Sequence, residues 1–174
     1  MGLIAVRLTK PLLSPWKDDD REPRSRGRPV AYHRVLVPLG SGHEAAEAMA
    51  VACRLAAERH AAVTALSVIE IPAELPLAAL MLAEDAEARR RVSEARAIAE
   101  LYGVSIAILL RRARSAGEAI VAEAVLAGSE LIVIGTTRRP ASGAGRVRVF
   151  GGTVDFVLKH APCRVVVAAL PREA

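Results

Sequence analysis

Residues 131–169 read LIVIGTTRRP ASGAGRVRVF GGTVDFVLKH APCRVVVAA, and this stretch decides the fold. It contains an apolar strand pattern at 131–134, a loop rich in glycine and arginine, a helical pattern from Gly152 and another apolar strand from Arg164. A strand that leads through a glycine loop into a helix exposes unpaired backbone N–H groups, which suit an anion such as a phosphate. The stretch therefore predicts a layered α/β fold with an anion site at the loop.

The chain from residue 32 onward repeats this alternation of strand and helix. Short apolar runs predict strands at 35–39, 63–69, 104–110, 131–134 and 164–169. Helices are predicted from a capping box at 41–44 to about residue 60, over about 80–102, from a capping box at 115–118 to about residue 127, and over 152–160. Gly103 follows the second of these helices as a left-handed cap, and the third helix stops at Gly128. Because strands and helices alternate, we expect a doubly wound, open parallel sheet of five strands with helices on both faces.

Pro38 lies within the first predicted strand, where proline removes a donor from the hydrogen-bond ladder. A central strand tolerates such a residue best where its pairing is about to stop. We therefore expect Pro38 to lie near the carboxyl end of the pairing.

Length and composition limit the class of protein. The chain has 174 residues, of which 52% are hydrophobic and 3% aromatic, so we expect one domain with a core of Ala, Val, Leu and Ile. Because few aromatic side chains are present to stack on bases, we do not expect a binding surface for single-stranded nucleic acid. No apolar run is long enough for a membrane span, and no secretory signal is recognisable. We expect a cytoplasmic protein.

The net charge of +5 is unevenly distributed along the sequence. Residues 1–31 hold seven Lys/Arg, four Asp/Glu and four prolines, and we interpret them as a flexible basic tail before a domain at 32–170. Outside the tail, positive charge is concentrated in the loop with Arg138, Arg139, Arg146 and Arg148. This pattern favours a small phosphate ligand over a long groove for nucleic acid.

Two glycine-rich loops follow the first and fourth predicted strands. Gly40 and Gly42 follow the first strand, and the fourth is followed by Gly135, Gly143, Gly145, Gly151 and Gly152. Ligands of open parallel sheets bind beyond the carboxyl ends of the strands, where the strand order reverses. If the two strands are neighbours, both loops border one crevice, and the helix that begins at Gly152 turns its free N–H groups toward it.

Three segments together resemble the universal stress protein family: VLVPL at 35–39, AGSELIVIG at 127–135 and HAPCRVVV at 160–167. The likeness covers about residues 32–169. It implies the strand order 3-2-1-4-5, a homodimer formed through the last strand and, in the nucleotide-binding branch, ATP held by the motif Gly-x2-Gly-x9-Gly-Ser/Thr. By this resemblance the phosphate contacts are Gly135, Arg138, Gly151, Gly152 and Thr153. The base is then bordered by Gly40 and Val68.

The sequence departs from the nucleotide-binding motif. Arg138 stands where the second glycine belongs, twelve residues separate it from Gly151, and Gly152 stands where Ser or Thr is expected. Gly40 occupies the position of an acidic residue on the adenine side. A guanidinium can bind phosphate through two hydrogen bonds, although it prevents the close approach that glycine allows. Two hypotheses remain open: a noncatalytic regulatory domain that binds ATP or another adenine nucleotide, and a nucleotide-free interaction module.

Residues 149–163, VFGGTVDFVLKHAPC, also resemble the stress-protein domains at the C-terminal end of amino-acid permeases. This likeness implies that a transporter on a separate chain, or another protein, is a candidate partner.

The sequence gives little support for catalysis or metal binding. The four histidines are scattered without a partnered acid, and Ser41 lacks the surrounding Gly-x-Ser-x-Gly of a nucleophile turn. The first loop also lacks the Ser-Gly-Gly sequence of ATP pyrophosphatases. Cys53 and Cys163 have no zinc-type spacing and are interpreted as reduced packing thiols. We therefore expect neither a catalytic residue nor a metal site.

Overall fold

The computed structural model describes residues 32–137 and 150–170. The predicted tail at 1–31 and the basic loop with Arg138 lie outside the described residues. Strands and helices alternate as expected, in this order: β1 (Arg34–Leu39), α1 (His43–Arg59), β2 (Ala62–Glu70), α2 (Leu82–Leu101), β3 (Ile106–Ala113), α3 (Ala116–Leu126), β4 (Leu131–Thr137), α4 (Gly152–His160) and β5 (Arg164–Leu170).

The five strands form one sheet in the order β3-β2-β1-β4-β5, and every neighbouring pair is parallel. This topology confirms the fold class and the strand order that the family resemblance implies. The order reverses between β1 and β4, since the chain first builds outward from β1 to β3 and then continues on the other side of β1.

Both faces of the sheet are buried, and alternate residues of each strand face opposite layers. Helices α1 and α2 cover one face, whose buried residues include Val35, Val37, Val63, Ala65, Val133, Ala52 and Ala95. Helices α3 and α4 cover the other face, whose buried residues include Leu36, Leu66, Ile132, Ile134, Ile120, Val154 and Val157. Burying one Val, Leu or Ile side chain stabilises the fold by roughly 1.5–3 kcal/mol. The aliphatic core expected from the composition is therefore present.

The N-termini of α1 and α3 show whether the two predicted capping boxes form. Ser115 is the N-cap of α3, and its Oγ accepts a hydrogen bond from the Glu118 N–H at 3.4 Å, as predicted. The box at Ser41 is wrong, because the N-cap of α1 is Gly42, with φ of 109°. This backbone conformation favours glycine, and it starts the helix one residue later than a cap at Ser41 would.

Two helix ends are followed by left-handed glycines, of which Gly103 was predicted. Gly103 has φ of 64° and Gly128 has φ of 57°. His60, the C-cap of α1, is also left-handed, with φ of 52°. The sequence did not indicate this position because left-handed residues other than glycine are uncommon.

Two strands, β3 and β4, differ from their predicted bounds by more than one residue at an end. β3 begins at Ile106 instead of 104, because the N–H of Val104 donates to the carbonyl of Ala99 at 3.0 Å and closes the end of α2. At its carboxyl end β3 continues to Ala113, which pairs with Glu70 of β2. β4 continues to Thr137 because β5 pairs with it as far as Leu170.

A second set of clustered arginines lies at the end of β3, which corrects the prediction that the basic loop is the one concentrated basic element outside the tail. Arg111 Nε donates to Glu123 Oε2 at 3.0 Å, and Arg112 Nη2 lies 2.6 and 2.7 Å from the two carboxylate oxygens of Asp85. Arg114 donates to two backbone carbonyl groups of the loop after β2. These three guanidinium groups therefore have internal partners that hold the edge of the domain together.

In the described part of the chain, no helix combines the length and apolar character required to span a membrane.

Candidate functional site

A pocket of about 400 Å³ lies at the carboxyl ends of β1, β2 and β4. Within these strands, β1 pairs with β4 only through Val35–Leu131 and Leu36–Ile132, whereas it stays in register with β2 as far as Leu39. The two central strands therefore separate over their carboxyl halves. The pocket forms where they separate, which is also where the strand order reverses.

The separation of β1 from β4 explains why Pro38 is tolerated. Pairing of β1 with β4 has ended two residues earlier, so the proline lies beyond that ladder, as expected.

The pocket has an apolar interior and a polar rim. Its apolar lining comes from both layers of the domain and comprises Leu39, Leu66, Val68, Ile69, Ile120, Ile134 and Val154, among others. Its polar lining side chains are Ser41, Glu70, Glu84, Arg91 and Thr153. This combination of apolar walls with a few polar groups is typical of sites for small organic ligands.

Four of the seven predicted site residues line this pocket: Gly40, Val68, Gly135 and Thr153. Gly151 and Gly152 do not line it but immediately precede Thr153 at the start of α4. Arg138 lies outside the described residues. The structure therefore brings the two predicted loops together, since Gly40 follows β1 and Gly135 belongs to β4.

Gly135 has a structural role that the sequence did not reveal. It lies within β4, and a Cβ at this position would stand 2.0 Å from the carbonyl oxygen of Glu44 and 3.0 Å from the backbone nitrogen of Ala45. Only glycine lets the first turn of α1 approach the strand so closely. Gly135 therefore positions α1 at the side of the pocket.

The first turn of α4 forms one end of the pocket. Gly151 is its N-cap, and no side chain of the described residues caps this turn. The first N–H groups of a helix have no intrahelical partners, and the helix dipole adds partial positive charge there. This end of the pocket therefore suits an anion.

Three charged residues at the pocket were missed by the sequence analysis: Glu70, Glu84 and Arg91. Glu70 Oε1 accepts a hydrogen bond from the Ala116 N–H at 2.7 Å and thereby binds the start of α3. The position of Glu70, two residues after Val68 in the second strand, was a usable signal. Glu84 and Arg91 carried none, because only the packing of α2 brings them to the pocket.

Arg91 is oriented by a carboxylate that it shares with a neighbouring arginine. Arg91 Nε donates to Glu87 Oε1 at 3.3 Å, and Arg90 binds both oxygens of the same carboxylate. The Arg90 guanidinium, with a smaller contribution from Arg91, lowers the pKa of Glu87 to about 2. Glu87 is therefore ionised at neutral pH.

The described residues contain no group of three or more His, Cys, Asp or Glu side chains that could hold a metal ion. All four histidines are exposed, and none lines the pocket. Cys53 is buried and Cys163 partly buried, and burial raises the pKa of both thiols. Both cysteines are free, as expected.

Comparisons with known proteins identify the same fold. The universal stress protein family model matches residues 31–169. UspA from Lactobacillus plantarum is 24% identical, with a TM-score of 0.62, and the match covers 80% of this chain and 99% of that one. A protein of the universal stress protein family from Burkholderia pseudomallei is 27% identical, with a TM-score of 0.61 and coverage of 78% and 95%. Among curated proteins, none matches the chain significantly.

Some similar structures contain nucleotides. A universal stress protein from Archaeoglobus fulgidus in complex with dAMP is 19% identical, with a TM-score of 0.61 and coverage of 79% of this chain and 98% of that one. Other similar structures were solved in complex with cAMP and, from Arabidopsis thaliana, with AMP.

Proposed function

The chain belongs to the universal stress protein family, and from that premise we propose that it is a noncatalytic regulatory protein whose domain binds an adenine nucleotide, ATP or another one. The pocket between the separated ends of β1 and β4 is the observation that carries this proposal. It has a volume of about 400 Å³, within the usual range for small-molecule sites.

The two ends of the pocket differ in a way that suits a nucleotide. One end is the first turn of α4, where Thr153 lines the pocket and unpaired N–H groups favour phosphate. The apolar lining can receive a sugar and base, and Val68 of β2 and Gly40 after β1 also border the pocket. The phosphates would therefore lie at α4 and the base at the ends of β1 and β2.

Adenine is the base that the relatives support, because similar structures were solved with AMP, cAMP and dAMP. The proposed phosphate contacts of this chain are Gly135, Gly151, Gly152 and Thr153, together with Arg138. Arg138 would act through its charge, since it replaces a glycine of the family motif.

A regulatory role without catalysis fits the chemistry of the pocket. No histidine or cysteine of the described residues lines it, so the groups that most often act as general base or nucleophile lie elsewhere. A bound nucleotide would then act by stabilising one conformation of the domain. We further propose that the domain forms a homodimer through β5.

Ligand binding is tested in two steps. Mass spectrometry of ligand released from the purified protein should detect an adenine nucleotide. Titration calorimetry should then compare ATP with adenosine for Arg138→Ala and for the neighbouring control Arg139→Ala. We expect Arg138→Ala to weaken ATP more than adenosine, by about 1–3 kcal/mol. Absence of ATP and AMP binding at millimolar concentration would contradict the proposal.

The second candidate function is a nucleotide-free module that regulates a transporter or another partner. Four exposed leucines within eight residues support it: Leu75, Leu77, Leu80 and Leu82, in and just after the loop between β2 and α2, are 40%, 47%, 85% and 77% exposed. Exposed apolar patches mark interaction surfaces. A protein that binds no nucleotide but loses partner binding when these leucines are replaced by serine would favour this function.

A further inference from the structure

Two charged side chains of α2, Glu84 and Arg91, line the pocket, and α2 packs on the opposite face of the sheet from α4. They are seven residues apart, so they lie on one face of the helix, two turns and about 10.5 Å apart along its axis. Neither residue belongs to the motif that predicted the site.

Arg91 has hydrogen-bond donors left for a ligand. Its side chain is 18% exposed, compared with 52% for Arg90 on the same helix. Nε is bound to Glu87, whereas no group of residues 32–137 or 150–170 accepts a hydrogen bond from its Nη1 or Nη2. A guanidinium has five N–H donors, so most of those of Arg91 stay unused next to the pocket.

Glu84 is also unengaged. No hydrogen bond or ion pair joins its carboxylate to the part of the chain that the structure describes. Its oxygens are therefore acceptors that a ligand can use without displacing an internal partner.

The end of β1 leaves space for these side chains. A smaller cleft beside the pocket is lined by Gly40 and Arg91 among other residues, so the arginine and the glycine border the same space. A Cβ at Gly40 would meet one described atom, the Cβ of Ala45, at 4.0 Å. Since Gly40 offers no side chain here, the charged groups of α2 have room beside the end of β1.

We propose that Arg91 and Glu84 determine base specificity by binding the adenine edge of the nucleotide. This inference rests on the proposed function. Adenine presents an amino donor beside ring-nitrogen acceptors, so Glu84 accepts from the amino group and the Arg91 guanidinium donates to a ring nitrogen. The base is then read by helix α2, whereas the phosphate is bound at α4.

The first test compares Arg91→Met with Arg89→Met. Arg89 is an exposed arginine of the same helix that does not line the pocket, so both variants lose one positive charge. We expect Arg91→Met to raise the Kd of AMP at least about tenfold, and that of adenosine, measured by displacement of AMP, by the same factor. Arg89→Met should change neither.

The second test compares Glu84→Ala with Glu100→Ala, an exposed position at the far end of α2. Glu84→Ala should weaken AMP several-fold but leave purine riboside 5′-monophosphate, which lacks the amino group, unchanged. Glu100→Ala should affect neither ligand.

The outcomes separate this inference from the proposed function. If the unmodified protein binds AMP but Arg91→Met and Arg89→Met behave alike, the base contact is wrong and the nucleotide site stands. If Arg91→Met weakens AMP but not adenosine, Arg91 binds the phosphate and the inference is overturned. If the unmodified protein does not bind AMP at millimolar concentration, both proposals fail.

Discussion

Arg34 and Glu130 join the amino ends of β1 and β4, the two strands that separate at their carboxyl ends around the pocket. Arg34 Nη2 lies 3.4 Å from Glu130 Oε1, and the N–H of Glu130 donates to the Arg34 carbonyl at 2.9 Å. Arg34 Nε also donates to the carbonyl of Gly128 at 2.7 Å. The central strand pair is therefore held together at one end and open at the other.

This contact predicts a pH-dependent stability. The backbone N–H of His33, together with the Arg34 guanidinium, lowers the pKa of Glu130 from its ordinary 4.5. A lowered pKa means that the carboxylate stabilises the folded state above about pH 4.5 and that this contribution is lost as the pH falls through the lower, folded-state value. Glu130→Gln should therefore lower the free energy of unfolding at pH 7.

The measurement is urea denaturation of both proteins at about pH 7 and about pH 3. The difference between their midpoints should shrink at the acidic pH. A difference that is the same at both pH values would show that the charge of Glu130 does not contribute.

Replacing Gly135 should destabilise the fold regardless of any ligand. In Gly135→Ala the new Cβ would overlap the backbone of Glu44, which cannot move aside as a flexible side chain does. We expect a loss of about 1–3 kcal/mol or more. Gly40→Ala is the matched control, because its Cβ has room and its φ is not left-handed, and it should change stability by less than about 0.5 kcal/mol. Equal denaturant midpoints for the two variants would contradict the close contact.

The pair of Asp85 and Arg112 should be needed for a fixed start of α2. Both side chains are partly buried, and the guanidinium binds both carboxylate oxygens. Asp85→Ala should cost roughly 1.5–3 kcal/mol, since it leaves a partly buried guanidinium without its charged partner. Arg90→Ala removes a more exposed pair and should cost less. Hydrogen exchange should increase in the first turn of α2 in Asp85→Ala, and unchanged exchange there would argue against this role.

Dimerisation through β5 is tested at its exposed face. In this strand Val167 packs against the core of the α3–α4 face, whereas Val166 is 36% exposed. Val166→Lys should therefore produce folded monomers, because a charge on an edge strand opposes pairing with another strand. Sedimentation at micromolar concentration measures the effect. An unmodified protein that is already monomeric would refute the proposed dimer.

The order and type of the elements were predictable because strongly apolar strands alternate with amphipathic helices. The bounds of α4 matched the predicted 152–160, since Gly151 and the Pro162 turn limit it on both sides. The end of β3 was harder to predict, because arginines at 111 and 112 are typical of a loop until their partners in α2 and α3 are known.

The candidate site was predictable where the backbone defines it and not where helices contribute side chains across the fold. Glycine positions indicated the loops at Gly40 and Gly151, and strand order then placed both near one pocket. Arg91 reaches the pocket only because α2 packs beside the end of β1. A contact of this kind depends on how two distant segments pack, and no local spacing encodes it.

The contact between Gly135 and Glu44 changes how a glycine motif should be interpreted in this fold. A chain that lost its ligand would still need glycine at this position, because the requirement comes from the helix backbone and persists in the empty protein. Phosphate binding can therefore be lost during evolution while the first position of the motif, Gly135, stays glycine. At Gly151, the N-cap of α4, an added Cβ meets no described atom within 4 Å, so the described part of the chain does not impose the same constraint there.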